Sequence, residues 1–272
     1  MFGPALIVFR ETLEAALLIG IIAAATRGLT GRNLWLAIGV GVGLAGSLVV
    51  AGLTETIANL AEGSGQELFN AAILGIAVLM LGWHNIWMAT HGREMAAQAK
   101  SVGHAVLSGQ REMSALAILI ALAVLREGSE TALFLYGLAA SSGSSAATML
   151  SGGLLGLVAG IGAGWALYSG LARIPLRHFF TVTSVLILLL AAGMAGQMAR
   201  LLIQGDFLQP LASPLWDSSS LLPMDSFLGN LLHLFAGYEA QPSGMQVLFY
   251  TVTVLVILFG MRWSRPRSLQ TT

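Results

Sequence analysis

Apolar residues run along this chain in long stretches, broken by short clusters of charge, glycine, serine and proline. Seven stretches, at 4–26, 34–58, 68–90, 114–139, 148–172, 179–203 and 245–262, are apolar throughout most of their length. Each has 18 to 26 residues, enough to cross the roughly 30 Å hydrocarbon layer as a helix. The pattern predicts an all-α integral membrane protein of seven transmembrane helices forming a single domain over 1–272. The first stretch is expected to persist as a helix, not a cleaved signal peptide: a basic leader is missing, and Arg10, Glu11 and Glu14 interrupt what a signal would keep apolar.

The polar breaks sort by sign. Those after the first, third and fifth stretches, with the C-terminal tail, hold Arg27, Arg32, Arg93, Lys100, Arg111, Arg173, Arg177, Arg262, Arg265 and Arg267, opposed by Glu94 and Glu112. Cytoplasmic loops carry such an excess, so this side faces the cytoplasm. The other side holds Glu55, Glu62, Glu67, Asp206, Asp217, Asp225 and Glu239, with Arg200 nearby. The N-terminus is therefore placed outside and the C-terminus inside, in a multi-pass protein of the cytoplasmic membrane. The longest connection, about 204–244, lies on the outer side and mixes four prolines with Trp216, Leu221, Leu222 and Phe227. A connection this apolar is expected to fold against the membrane face, with a short interfacial helix, or else to serve as a simple lid or spacer.

Composition narrows the function classes. The chain is 56% hydrophobic and 10% charged, against roughly 25% charged in soluble domains. Its formal net charge is zero, which points to neither nucleic acid nor an anionic surface as partner. Absence of cysteine removes disulfides, thiolate metal sites and thiol catalysis, leaving oxygen and imidazole as metal ligands. No G-x-x-x-x-G-K-[ST] loop is present, so nucleotide binding and ATP-driven transport by this chain alone are excluded.

An internal repeat is visible. Arg10-Glu11-Thr12-Leu13-Glu14 in the first stretch returns as Arg126-Glu127-Gly128-Ser129-Glu130 in the fourth, 116 positions later. Gly39, Gly43 and Ser47 of the second stretch fall on Gly156, Gly160 and Gly164 of the fifth at an offset of 117. Two three-helix units follow, about 4–90 and 114–203, with the seventh helix at about 245–262. An odd number of helices per unit inverts the second copy, the architecture of many secondary transporters. The glycines also let helices approach closely, and serve here as a register marker.

Well inside the predicted hydrocarbon region the Asp, Glu, Lys and Arg side chains are Arg10, Glu11 and Glu14 of the first stretch and Arg126, Glu127 and Glu130 of the fourth. Each costs roughly 2.5 to 3.5 kcal/mol at mid-helix on insertion scales, so all must face protein or water. Three-residue spacing puts Glu11 with Glu14, and Glu127 with Glu130, on one helical face, and four-residue spacing lets Arg10 pair with Glu14 and Arg126 with Glu130. If the first and fourth helices meet, four carboxylates converge on two guanidiniums, leaving a formal charge of about −2 for protons or cations to offset. Hard oxygen donors favour Mg²⁺, Ca²⁺, Mn²⁺ or ferric iron. Two Arg–Glu networks that merely join helices are the structural alternative, although the second glutamate of each motif is superfluous to that role.

At these residues the chain resembles the oxidase-dependent iron permease family, the Ftr-type fungal and EfeU-type bacterial ferric transporters. The resemblance rests on RETLE at 10–14 and REGSE at 126–130, against a family pattern R-E-G-x-E in helices one and four. It extends through LREGSETALFLYG at 125–137, GQELFNAAILG at 65–75, LLAAGMAGQMA at 189–199, PLWDSSSLLP at 214–223 and GYEAQPSGMQ at 237–246. Thr12 departs from the family glycine. The resemblance implies import of iron as transported substrate, Fe³⁺ or else Fe²⁺, with no permanently bound cofactor. Glu11, Glu14, Glu127 and Glu130 would be ligands and Arg10 and Arg126 their partners, served by an extracytoplasmic iron oxidase or iron-binding protein. A permease for manganese or lead and a membrane di-iron oxidase are the alternatives; the Glu-x-x-His motif of the latter is missing at both sites.

Lesser candidates are Glu67 at the outer mouth of the third helix, which would pass metal inward or simply start the helix in solvent. Asp217, Asp225 and Glu239 would form an outer capture site or plain acidic surface. Gln197 would line the pathway or bond a neighbouring helix. His84, inside the third stretch, is expected to hydrogen-bond a neighbour.

Overall fold

The structure, a computed structural model, describes residues 2–60, 66–142, 145–170 and 176–263. Those residues form eight helices and no strand: α1 (Phe2–Ala25), α2 (Arg32–Leu60), α3 (Gln66–Leu107), α4 (Ser114–Ser142), α5 (Ala146–Tyr168), α6 (Leu176–Gln204), α7 (Phe227–Ala236) and α8 (Gly244–Trp263). Five of them contain segments long and apolar enough to cross a membrane: Arg32–Thr54, Glu67–Met88, Ala146–Tyr168, Thr181–Gln204 and Gly244–Trp263. The long helices α1 and α4 are the two that carry the charged motifs in their middle. Of the loop charges that set the expected topology, Glu62, Arg173, Arg265 and Arg267 lie outside the described residues.

The helix boundaries depart most from expectation in α3, which runs for 42 residues, far past the end of its apolar stretch at 90. The extension, REMAAQAKSVGHAVL, is rich in alanine and unbranched side chains that lose little entropy in a helix. Tertiary burial secures it, since Ala99 and Val106 lie in a packed core. The connection after α1 turns on Gly28 and Gly31, whose φ angles of 94° and 81° suit glycine. There the Arg32 Nη1 donates to the carbonyl of Ala23 at 2.7 Å and closes the last turn of α1.

The chain folds as two compact units. The first comprises α1, α2, the later part of α3, α4 to Tyr136, and α5. Its core joins Leu18 and Ile22 of α1, Ala99 and Val106 of α3, and Leu116, Ile120 and Val124 of α4. Helix α2 lies against α4 through glycine: a Cβ on Gly39 would stand 2.7 Å from the carbonyl oxygen of Ala117. Helix α5 lies against α1 in the same manner, with Gly152, Gly156, Gly160 and Gly164 all buried. Replacing side chain with close backbone approach is how helices associate where lipid removes the hydrophobic drive.

The second unit comprises the first part of α3, most of α6, α7 and α8. Ala71, Leu74, Ala77 and Leu81 make a buried stripe on α3, and Asn85 Nδ2 donates to the carbonyl of Ser184 at 2.9 Å, tying α3 to α6. The connection between α6 and α8 is folded. Leu215 N donates to Pro242 O at 2.7 Å, Ser218 N to Ala240 O at 2.9 Å, and Gly244 N to Ala212 O at 2.9 Å. Helix α7 is the short helix expected there, capped by Ser226 and by Gly237 at φ 66°. Gly237 meets Gly193 of α6 backbone to backbone, a Cβ on Gly193 falling 2.8 Å from the Gly237 Cα. Gly193 lies 11 residues before the end of α6, about 16 Å at 1.5 Å per residue, so the segment descends well below that end.

Large apolar side chains stay on the outside: Val42, Leu48 and Val49 of α2, Leu154, Val158 and Trp165 of α5, and Val252, Val256 and Phe259 of α8 are exposed. Such faces suit hydrocarbon, not water.

Candidate metal centre

Ionisable side chains are buried in the first unit where α1 faces α4. Arg10 and Glu11 are each 1% exposed, an arrangement that is tolerable only with charge compensation. The Arg10 Nη1 lies 3.2 Å from Glu11 Oε1 and its Nε 3.1 Å from Glu14 Oε1, the latter one turn along the helix. On α4 the Arg126 Nη2 lies 3.0 Å from Glu127 Oε1 and its Nε 3.5 Å from Glu130 Oε1. Each arginine thus bridges both glutamates of its own motif.

The two motifs meet through their carboxylates. One ligand oxygen each from Glu11, Glu127 and Glu130 lies within 4.8 Å of the others, the spacing of groups able to hold one cation. Three carboxylates this close in a low-dielectric interior repel one another; the two arginines offset part of that repulsion, and protons or a bound cation would offset the rest. Glu14 is buried beside them on Arg10. Two hydroxyls bond back to the motif's own carbonyls, Ser129 Oγ to Arg126 O at 2.9 Å and Thr131 Oγ1 to Glu127 O at 2.7 Å. They absorb carbonyl lone pairs in the one stretch of α4 where polar groups crowd an apolar helix.

The halves are not equivalent. The Arg10 side chain is sealed at 1% exposure, whereas that of Arg126 is 32% exposed and its Nη1 points at Met95 Sδ, 3.6 Å away. Sequence alone did not single out Met95. It lies just beyond the apolar stretch of α3, and its approach to Arg126 depends on that helix continuing.

The remaining candidates are carried by other segments of the chain. Glu67 is exposed at the start of α3, its Cβ close to Gly205 at the end of α6, and Gln197 is half-buried on α6. Asp217 and Asp225 are exposed on the segment between α6 and α8. Asp217 accepts from Ser219 Oγ, from Ser219 N at 2.9 Å and from Gln241 Nε2 at 2.8 Å. Those bonds, led by the Ser219 hydroxyl, hold its carboxyl below the usual range. Glu239 lies 3.9 Å from Arg200, and His84 is buried in the second unit.

The sequence matches the description "Iron permease FTR1 family" over residues 1–270. The chain belongs to that family. Among its relatives, the "Ferrous iron permease EfeU" of Yersinia pestis is 33% identical over 267 residues, covering 95% of this chain and 93% of the relative. The protein of the same name from Escherichia coli O6:H1 is 33% identical over 264 residues, with 95% and 94% covered. That of Shigella sonnei is 33% identical over 263 residues, again with 95% and 94% covered. No solved structure matches the chain. Family membership and the five apolar helices make this a multi-pass membrane protein of a permease family.

Proposed function

We propose that the protein imports iron across the cytoplasmic membrane as a secondary permease, with Glu11, Glu14, Glu127 and Glu130 as the transient ligands and Arg10 and Arg126 as their charge partners. The observation that carries this reading is the convergence of Glu11, Glu127 and Glu130 within 4.8 Å, in a member of an iron permease family. Seven spanning helices, α1 to α6 and α8, with the N-terminus outside, complete the arrangement, and α1–α3 and α4–α6 are inverted counterparts. The paired motifs support that symmetry, which supplies the geometry for alternating access.

The mechanism follows from charge. Four carboxylates attract the ion, and two arginines offset half their charge, so binding is favourable without being irreversible. A ferric ion arriving from an extracytoplasmic oxidase or iron-binding protein suits an all-oxygen donor set. Relatives named ferrous permeases favour the alternative that Fe²⁺ is the ion presented. Release weakens the site, either by protonating a glutamate or by moving α1 relative to α4 so that each carboxylate pair is left to hold the ion alone. The partial exposure of Arg126 beside a sealed Arg10 supports a state open on the Arg126 side, which the loop charges assign to the cytoplasm. Glu67, Gln197, Asp217, Asp225 and Glu239 belong to the outer approach in this reading.

Radiolabelled iron uptake into proteoliposomes decides it. Saturable uptake by the intact chain, lost in Glu14→Gln and Glu130→Gln, is expected, with ferric and ferrous supply compared side by side. Normal uptake in both variants removes the four-glutamate site.

A further inference from the structure

Within the first unit α2 crosses α4 and α5 crosses α1, and both crossings are tight. A Cβ on Gly43 would meet Val124 Cβ at 2.7 Å and Ala121 O at 2.8 Å; one on Gly156 would collide with the Ala5 carbonyl and lie 2.9 Å from Phe9 N. Ala5 and Ala121 are equivalent in the 116-residue spacing of the two motifs. One helical turn further along, each crossing reaches the third position of a motif, Thr12 or Gly128, and there the two differ in chemistry. A Cβ on Gly160 would stand 2.7 Å from Thr12 Cβ and 2.9 Å from Thr12 Cγ2. At the other crossing a Cβ on Gly128 would stand 2.6 Å from Ser47 Cβ and overlap its Oγ. Thus the motif helix carries the side chain and the supporting helix the glycine at one crossing, and the assignment is reversed at the other.

We propose that Thr12 with Gly160, and Ser47 with Gly128, are exchanged positioning pairs that fix how closely α5 and α2 approach the two motif helices, and thereby where the glutamates stand. The proposal rests on the permease reading for its functional consequence. Each crossing has room for one side chain beyond the backbone, and Thr12, the departure from the family's glycine, is accommodated because its opposite number is Gly160. Ser47 adds a polar hold: its Oγ lies 2.9 Å from Gly43 O, 3.3 Å from Val124 O and 3.4 Å from Leu125 O, the last two immediately before Arg126. A shift of α4 against α2 moves Glu127 and Glu130 directly, because they share the turn that Ser47 touches. Both pairs lie in one unit, with Ser47 and Gly160 buried and Thr12 and Gly128 half-buried.

The test inverts each pair. Gly128→Thr and Gly160→Ser overfill a crossing, and Ser47→Gly and Thr12→Gly slacken it. The combinations Ser47→Gly/Gly128→Thr and Thr12→Gly/Gly160→Ser exchange the partners. Two readouts are taken on the full chain: the melting temperature of the purified protein without iron, and the half-saturating iron concentration with maximal rate in proteoliposomes. The single overfilled variants are expected to melt lower and to raise half-saturation about tenfold, as misplacement of ligand-supporting groups typically does. Each inverted pair is expected to recover most of the lost melting temperature and to bring half-saturation to within about threefold of the parent chain. Inverted pairs that stay as impaired as the overfilled variants overturn the pairing. Normal half-saturation in overfilled variants that melt lower overturns the positioning role. Absence of transport by the intact chain counts against the permease reading alone, because the iron-free melting series still decides the pairing.

Discussion

Arg10 and Arg126 occupy the same position in two nearly identical motifs, yet their surroundings give them different energetic weight. Arg10 is sealed beside Glu11 and Glu14, so removing it takes a paired guanidinium away from two buried carboxylates. Arg10→Leu is expected to destabilise the chain by about 3–5 kcal/mol, visible as a lowered melting temperature and poor accumulation in the membrane. Arg126→Leu is expected to cost distinctly less, because the third of its surface that is exposed admits solvent to screen Glu127 and Glu130. Equal losses in the two variants contradict the asymmetry. At Asp217 the shift runs the other way from burial: its folded carboxyl ionises more readily than an unfolded one. Its hydrogen bonds therefore stabilise the outer segment above the unfolded value of about 3.9 and fade only as pH falls through the lower folded value. A pH titration of loop order is expected to stay flat from neutrality down to about pH 4 at this site.

At the scale of helices, glycine divides into two populations that the sequence cannot separate. Gly43 has Val124 Cβ within 2.7 Å of its missing Cβ, whereas Gly41, two residues earlier on the same helix, has nothing within 4 Å. Gly43→Val is expected to cost about 1–3 kcal/mol by overpacking. Gly41→Ala is expected to be neutral or to gain about 0.5–1 kcal/mol, since alanine is the better helix former. Melting of the two variants beside the parent chain distinguishes the populations, and a Gly43→Val protein as stable as the parent rejects the crossing. The same contacts revise the register of the second and fifth helices. Glycine spacing alone matches them at 117, but the crossings pair Gly43 with Gly156 and Ser47 with Gly160, at 113. With glycine recurring every four residues in α5, a slip of one turn leaves the pattern nearly unchanged. Only the partner residues on α1 and α4 resolve it.

For the whole molecule, orientation is the property most open to direct measurement. Because the chain contains no cysteine, single cysteines can be introduced one at a time without a background. Ser219→Cys, in the outer segment, is expected to react with a membrane-impermeant thiol reagent in intact cells. Ser108→Cys, after α3, is expected to react only after permeabilisation. The opposite labelling pattern would invert the topology and with it the direction of entry assigned to iron. The outer segment also shows how far local reading reaches. Its prolines and apolar residues predicted a folded connection with a short helix, and α7 is that helix. Its descent to Gly193 rests on one glycine–glycine approach for which 204–244 carries no local signal.

What the sequence determined by itself was everything carried by periodicity and charge along one helix: the long apolar runs, the two R-E-x-x-E motifs, the sharing of a face by Glu11 with Glu14 and by Glu127 with Glu130, and the pairing of each arginine four residues on. These follow from 3.6 residues per turn and the cost of charge in hydrocarbon, both local in the chain. Tertiary structure decided the rest. It selected Glu11, Glu127 and Glu130 as the carboxylates within 4.8 Å, sealed Arg10 while leaving Arg126 partly open, carried α3 past its apolar stretch to Met95, and set the register of α2 and α5 against the motif helices. Those outcomes depend on how far each helix is rotated and slid against its neighbour, a choice made by interdigitating side chains on different segments and invisible to any one of them.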